Sequence, residues 1–98
     1  MTIIWSPLAI QRVNDIAQYI AQDNYDAAIK WIDTIFEQVE RLISFPQSGR
    51  IVPETNREQI REILYKNYRI IYRLDEQTIN ILTVRHGKQI LPLDEIPK

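Results

Sequence analysis

In the first half of the chain, apolar residues recur every three or four positions, which is the spacing of amphipathic helices. One such stripe predicts a helix that ends near Gln22. Ser6-Pro7 marks its start, because serine caps a helix and proline suits its first turn. A second stripe predicts a helix from Asn24 to about Ser44. The short link between the two predicts an antiparallel helical hairpin.

Elsewhere the apolar residues alternate with polar ones or form short runs, as they do in β-strands. Residues 2–5 predict a short first strand, and residues 59–65, 68–74 and 78–85 predict three more strands joined by tight turns. The apolar run in the last strand favours a central place in the sheet. The predicted fold is α+β with the order βααβββ, in which an N-terminal strand and an antiparallel helical hairpin pack on a small, mainly antiparallel sheet.

Alternation within the strand of residues 68–74 assigns its side chains to two faces of the sheet. The predicted core face consists of Tyr68, Ile70, Tyr72 and Leu74. Arg69, Ile71 and Arg73 point the other way, so we expect the opposite face to be the wetter one.

Two segments show neither helical nor strand spacing. Residues 46–58 contain two prolines and a Ser48-Gly49 turn, and they predict a long loop of the kind that often serves a function in so small a domain. Residues 89–98 contain two more prolines and predict a tail that extends along the surface. With these segments included, residues 1–98 are predicted to form a single domain.

Composition narrows the possible classes of function. The chain is 45% hydrophobic and 26% charged, which is ordinary for a soluble globular protein. It has neither an apolar run near the roughly 20 residues that span a bilayer nor an N-terminal signal pattern. The absence of cysteine excludes disulfides and thiol catalysis, and the single histidine argues against a metal site. We therefore predict a cytoplasmic protein with no metal, no cofactor and no membrane contact.

Charge is unevenly distributed along the chain, although the net charge is only −1. Residues 1–48 carry three basic and six acidic side chains, whereas residues 57–88 carry seven basic and four acidic ones. Such a local positive field either keeps a sheet edge soluble or forms a site for an anionic partner. The candidate target-binding residues in this region are Arg61, Arg69, Arg73, Arg85, His86 and Lys88.

Over essentially its whole length the sequence resembles the RelE/ParE superfamily of bacterial type II toxins. The resemblance is carried by WSPLAIQRVNDIAQYIAQDN (5–24), SGRIVPE (48–54), REILYKNYRIIYR (61–73) and ILTVRHGKQ (81–89). It implies a toxin that poisons growth and is neutralised by a co-encoded antitoxin. The expected antitoxin is a small DNA-binding protein whose C-terminal segment wraps across the toxin.

Two branches of this superfamily imply different targets. RelE-like members are ribosome-dependent mRNA endoribonucleases, whose pattern includes a lysine pair on the first strand of the meander and a tyrosine near the C-terminus. In this chain the lysine positions fall on Arg61 and Ile63, and no tyrosine follows Tyr72. A variant ribonuclease branch would place its catalytic set on Glu62, Arg69 and His86.

The ParE-like branch inhibits DNA gyrase, and the GRIVPE, NYRIIY and VRHG segments resemble it more closely. Metal-free RNA cleavage needs groups that exchange protons near neutral pH. Arginine stays charged there, and histidine, the residue type suited to such exchange, occurs only once in the chain, as His86. The sequence therefore favours a gyrase inhibitor that is not an enzyme. The alternatives are a RelE-like ribonuclease acting on ribosome-bound mRNA and an inactive relative that only binds its antitoxin.

Overall fold

The computed structural model describes residues 1–87 and 89–97. These residues form strands and helices in the order β1 (Thr2–Trp5), α1 (Pro7–Asp23), α2 (Tyr25–Glu40), β2 (Arg50–Ile51), β3 (Ile60–Tyr65), β4 (Tyr68–Leu74) and β5 (Thr78–His86). A short 3-10 turn, Arg41–Ile43, follows α2, and a second one, Leu93–Glu95, lies in the tail. The predicted α+β class, with a helical hairpin on a mainly antiparallel sheet, is confirmed.

All five strands belong to one sheet in the order β1-β5-β4-β3-β2. β1 runs parallel to β5, and the other neighbours are antiparallel. β5 is therefore an inner strand, as its apolar run predicted. The loop predicted over residues 46–58 contains a strand that the sequence analysis missed, because β2 pairs with β3 through only Arg50 and Ile51. Two residues are too few for an alternating pattern to be recognised.

The helices begin at the polar caps that the sequence indicated. The Ser6 side chain accepts a hydrogen bond from the Ala9 N–H at 3.0 Å, and the Asn24 side chain accepts one from the Ala27 N–H at 3.0 Å. At its end α2 tightens into the first 3-10 turn after Glu40. Within the described residues, neither helix combines the length and the apolar character needed to cross a membrane.

The larger core lies between the helical hairpin and one face of the sheet, which we call the helix face. Ile70 and Tyr72 of β4 are fully buried there, with Tyr68 and Leu74 partly buried beside them, so the predicted core face of β4 is confirmed. The other buried members of this core are Ala9, Val13, Ala17, Trp31, Ile35, Val39, Leu42, Ile79, Ile81 and Val84. Burying a large aliphatic or aromatic side chain of this kind contributes about 1.5–3 kcal/mol.

The opposite face of the sheet, which we call the tail face, is also covered. A second apolar core there consists of Val52, Ile60, Ile71, Leu82, Leu91 and Ile96. Leu91 and Ile96 come from the tail and are 2% and 7% exposed. The expectation of a wetter face was therefore wrong. Most described residues of the tail are exposed, as expected, but the tail also packs on the sheet through Leu91 and Ile96. The physical reason is that Ile71 and Leu82 would otherwise present apolar area to water, and the tail removes it.

A bulge in β5 allows one strand to supply both cores. Ile71 pairs with Thr83 and Tyr72 pairs with Ile81, so the residue between them, Leu82, has no partner on β4. Ile81 and Val84 consequently lie in the same core although they are three positions apart, and Leu82 lies in the other core. For this reason the nearly continuous apolar run of β5 supplies buried side chains to both cores.

Candidate functional site

A buried ion network lies on the tail face where β3, β4 and the loop meet. Arg69 is 5% exposed, and its Nε donates to Glu62 Oε1 at 2.5 Å. Its Nη1 and Nη2 each donate to the Glu54 carboxylate at 2.8 Å. The Glu62 side chain is fully buried and also accepts a hydrogen bond from Arg50 Nε at 2.6 Å. All three guanidinium nitrogens of Arg69 are thus occupied by carboxylates of the same chain.

Strand register and one turn of the loop bring this network together. Glu62 pairs with Ile71 across β3 and β4, so its side chain shares the tail face with Arg69, two positions earlier on β4. Glu54 follows the buried Val52, after which Asn56 takes a φ of 50° as the chain turns. Asparagine tolerates this left-handed conformation better than most residues. The Asn56 N–H donates to the Val52 carbonyl at 3.0 Å and holds the turn.

Electrostatics keep the network ionised. Side-chain hydrogen bonds from Arg69 are the largest influence on Glu54 and lower its pKa from 4.5 to about 2, although burial opposes the shift. The same hydrogen bonds raise the pKa of Arg69 above its already high ordinary value. Glu54 also accepts a hydrogen bond from the Leu91 N–H at 3.3 Å. One carboxylate therefore joins the loop, the sheet and the tail.

Acid is expected to weaken the fold through Glu54. Its pKa in the folded protein is lower than in the unfolded chain, so unfolding takes up a proton as the pH falls. Its stabilising contribution is full above pH 4.5 and lost progressively towards pH 2. We expect the free energy of unfolding to fall by about 1–2 kcal/mol over this range. This is less than the pKa shift alone implies, because Glu54 is partly in water. Urea unfolding measured at falling pH should show this loss.

Glu54→Gln should reduce that dependence on pH, because glutamine does not titrate. The exposed Glu76 of the β4–β5 turn provides the matched control, and Glu76→Gln should leave the dependence as in the wild type. Equal dependence on pH in the wild type and in Glu54→Gln would contradict the role assigned to this carboxylate.

A second network fastens the tail to α1 and β5. The Glu95 carboxylate accepts hydrogen bonds from Arg12 Nη2 at 2.5 Å, from Thr83 Oγ1 at 2.9 Å and from Arg85 Nη1 at 3.4 Å. Burial by itself would raise the pKa of Glu95, but these hydrogen bonds and the two guanidinium charges outweigh it and lower the pKa. Arg85, predicted to bind a target, is thereby also a tether for the tail.

His86 lies on the other side of the sheet from the first network. It pairs with Tyr68 across β4 and β5, so both side chains point to the helix face, and their rings meet edge to face with centroids 5.7 Å apart. Arg69 is one position further along β4 and therefore points to the tail face. The structure thus brings Glu62 and Arg69 together and leaves His86 apart from them.

The other predicted target-binding residues are also spread over both faces. Arg61 pairs with Tyr72 on the helix-face side, and its Nη1 donates to the Gly49 carbonyl at 3.0 Å. Arg73 lies near the far end of β4 and forms an ion pair with Asp75 at 3.1 Å. Lys88 falls outside the described residues. The arginines of residues 57–88 consequently do not make one continuous face.

Two exposed cations beside the first network were missed by the sequence analysis. The Arg50 side chain on β2 is 56% exposed. Lys66 is exposed in the β3–β4 turn with a φ of 51°, and its ammonium lies 5.6 Å from the centre of the Tyr65 ring. Both line a cleft of about 420 Å³ that reaches Arg69. The turn signal at Lys66 was visible in the sequence, but nothing indicated that Arg50 joins the sheet.

Comparison with known proteins identifies the family. Residues 3–91 match the ParE toxin of the type II toxin-antitoxin system parDE. The candidate toxin Y4kP of Sinorhizobium fredii (strain NBRC 101917 / NGR234) is 34% identical over 92 residues, which cover 92% of each chain. The fold is similar to a solved chain of the chromosomal ParDE TA system from P. aeruginosa, with a TM-score of 0.74 and 21% identity over 90% of this chain and 97% of that one. This chain is therefore a member of the ParE toxin family of type II toxin–antitoxin systems.

Proposed function

We propose that this toxin arrests growth by binding DNA gyrase in the cytoplasm, that it does not cleave RNA, and that a cognate antitoxin neutralises it. The choice of gyrase binding over RNA cleavage rests on one observation. Arg69 is held by Glu54 and Glu62 through all three of its nitrogens, on the face of the sheet opposite His86.

Metal-free RNA cleavage requires a base for the 2′-OH, a cation for the phosphorane and an acid for the 5′ oxygen, all around one phosphate. In this chain the sheet itself separates Arg69 from His86. Freeing Arg69 for a phosphate would also leave the fully buried Glu62 carboxylate short of its nearest partner. Breaking a buried ion pair by removing one partner costs about 3–5 kcal/mol. These features support recognition of a macromolecule and disfavour nuclease chemistry.

For the target contact we propose the end of the sheet that carries Arg50 and Lys66. These side chains are exposed, and they flank the cleft above the Arg69 network. Arg69 would act there as a positioning residue, since it holds Glu62, which in turn orients Arg50 at 2.6 Å. Fixed positive charge of this kind gives specificity and a fast encounter with an acidic protein surface.

The test uses purified toxin in two assays, gyrase supercoiling of relaxed plasmid and cleavage of mRNA in a translating extract. We expect supercoiling to be inhibited and the mRNA to stay intact. Arg50→Ala combined with Lys66→Ala should weaken inhibition about tenfold or more, because both charges face the target. The matched control is Lys30→Ala on α2 combined with Arg41→Ala in the 3-10 turn that follows it, and this double variant should inhibit as the wild type does. His86→Ala should also retain inhibition.

Two other results would replace this proposal. Site-specific mRNA cleavage that His86→Ala abolishes would establish the ribonuclease alternative. Soluble expression that leaves both growth and gyrase unaffected would establish an inactive relative that only binds its antitoxin. Under the proposed function, growth stops when the chain is expressed alone and resumes when the adjoining reading frame is expressed with it.

A further inference from the structure

The cleft beside the Arg69 network carries an excess of positive charge. Its volume is about 420 Å³, and the cations that line it are Arg50, Lys66 and Arg69. Glu54 also lines the cleft, and the buried Glu62, bonded to Arg69, adds a second negative charge. Among the described residues, three cations against two carboxylates leave one positive charge in excess. The cleft therefore matches a group with a single negative charge.

The two exposed cations at this cleft have donors to spare. Arg50 uses its Nε for Glu62, and no other described residue accepts a hydrogen bond from its guanidinium. Lys66 forms no ion pair with any residue that the structure describes, and its ammonium lies 5.6 Å from the centre of the Tyr65 ring. A carboxylate between the two cations would accept charge-assisted hydrogen bonds, which are about twice as strong as neutral ones.

The backbone at Lys66 is strained. Its φ is 51°, in the left-handed region that lysine rarely adopts and that glycine adopts freely. Strained residues of this kind cluster at binding sites, where the gain in binding offsets the cost to the backbone. Glycine at this position would relieve the strain but would remove the ammonium from the cleft. The turn is thus less stable than it could be, and it keeps a cation beside the cleft.

An exposed leucine adjoins these charges. Leu64 lines the same cleft, is 53% exposed and pairs with Arg69 across β3 and β4. The cleft volume is near the lower end of the range of about 300–1,000 Å³ for ligand pockets, which suits one or two side chains of a partner. A nucleic acid presents a run of phosphates, whereas this cleft offers one excess positive charge beside an apolar contact. These features favour a protein segment with an acidic residue next to an apolar one.

We propose that the cleft binds one aspartate or glutamate side chain of the target protein between Arg50 and Lys66, while an apolar neighbour of that residue packs on Leu64. Lys66 is then a specificity-determining residue, because it attracts an acidic target segment and repels a basic one. Arg69 does not touch the target carboxylate but positions Arg50 through Glu62. The inference rests on the proposed function, because the target is gyrase.

A zero-length cross-link tests this contact directly. Carbodiimide joins an ammonium to a carboxylate only where the two touch, so the complex of wild-type toxin with gyrase is treated with it and the joined peptides are identified by mass spectrometry. We expect Lys66 to be joined to one aspartate or glutamate of gyrase. Lys30, exposed on α2, is the matched control and should be joined to none.

Exchanging the two charges tests the role of Lys66 in specificity. Lys66→Glu should raise the toxin concentration for half-inhibition of supercoiling about tenfold or more, and changing the cross-linked gyrase acid to lysine should recover most of that loss. Lys30→Glu changes the net charge equally and should alter inhibition less than about twofold. Lys66→Gly should weaken inhibition while raising the melting temperature by about 2–5 °C, so unfolding would not explain its loss. Leu64→Thr removes the apolar contact and should weaken inhibition about threefold.

Inhibition and cross-linking together separate this inference from the proposed function. A wild-type toxin that does not inhibit gyrase would overturn both. Inhibition in which Lys66 is joined to no gyrase carboxylate, and in which Lys66→Glu acts as the wild type does, would overturn the inference and leave gyrase as the target. Binding of a short DNA duplex by the toxin alone, weakened by Lys66→Glu, would assign the cleft to phosphate and overturn the inference as well.

Discussion

Arg69→Met is expected to lower the free energy of unfolding by about 3–5 kcal/mol, the usual cost of breaking a buried ion pair by removing one partner. Arg69 is 5% exposed and contacts both Glu54 and Glu62. Its loss would leave Glu62 buried beside only the half-exposed Arg50, and it would release Glu54, which joins the loop to the tail. Urea denaturation at neutral pH measures the effect directly.

Companion variants separate the contribution of charge from that of packing. Arg69→Lys keeps one positive charge but cannot span two carboxylates as the planar guanidinium does, so we expect an intermediate loss. Arg73→Met is the matched control, because that arginine is 30% exposed and pairs with an exposed aspartate at the surface; it should cost about 1 kcal/mol or less. Adding Glu62→Leu to Arg69→Met should recover part of the loss, since no unpaired charge then remains at that position.

If Arg69→Met costs no more than Arg73→Met, the network does not stabilise the fold in the way described. The result also affects how toxicity is interpreted. A strongly destabilised Arg69 variant would lose toxicity because it unfolds, whatever its target. For that reason the gyrase experiment uses Arg50 and Lys66, whose exposed side chains belong to neither core. Glu62 loses one partner when Arg50 is removed, but it keeps its ion pair with Arg69.

Gly49→Ala is expected to destabilise the protein by about 3 kcal/mol, combining steric overlap with strained hydrogen bonds. A Cβ at this position would lie 2.6 Å from Tyr72 Oη and 2.7 Å from the Glu62 backbone carbonyl oxygen. The Gly49 N–H donates to Tyr72 Oη at 3.1 Å, and the Tyr72 hydroxyl donates to the Pro46 carbonyl at 2.7 Å. Any shift that relieves the overlap therefore disturbs this pair of hydrogen bonds.

Tyr72 cannot easily move away from such an alanine. It is fully buried in the helix-face core, and burial raises the pKa of its phenol, so the hydroxyl stays a donor at neutral pH. Ser48→Ala, at the exposed neighbouring position, is the matched control and should change stability by less than about 0.5 kcal/mol. Similar denaturation midpoints for the Gly49 and Ser48 variants would show that the loop adapts and that the close approach is not required.

The secondary structure was largely predictable because its signals are local. Ser6 and Asn24 cap the two helices through bonds to residues three positions away, and β4 begins and ends where the alternation indicated. Such contacts depend on a few neighbouring residues and little else. β2 and the buried tail could not be found in this way, because each is recognisable only by what it packs against. Leu91 and Ile96 are apolar in sequence, yet only the tail face of the sheet accounts for their burial.

The sequence by itself determined the elements, the arginine-rich region and the resemblance to the toxin family, since all of these follow from residue types in order along the chain. The tertiary structure decided which side chains meet. Glu54 reaches Arg69 from 15 residues away because the loop folds over the tail face, whereas His86, opposite Tyr68, is turned to the helix face by strand pleating. Register and loop closure are non-local and could not be read from the order of residues. The candidate ribonuclease set is therefore divided in the structure: Glu62 and Arg69 belong to a buried ion network, and His86 lies on the other face of the sheet.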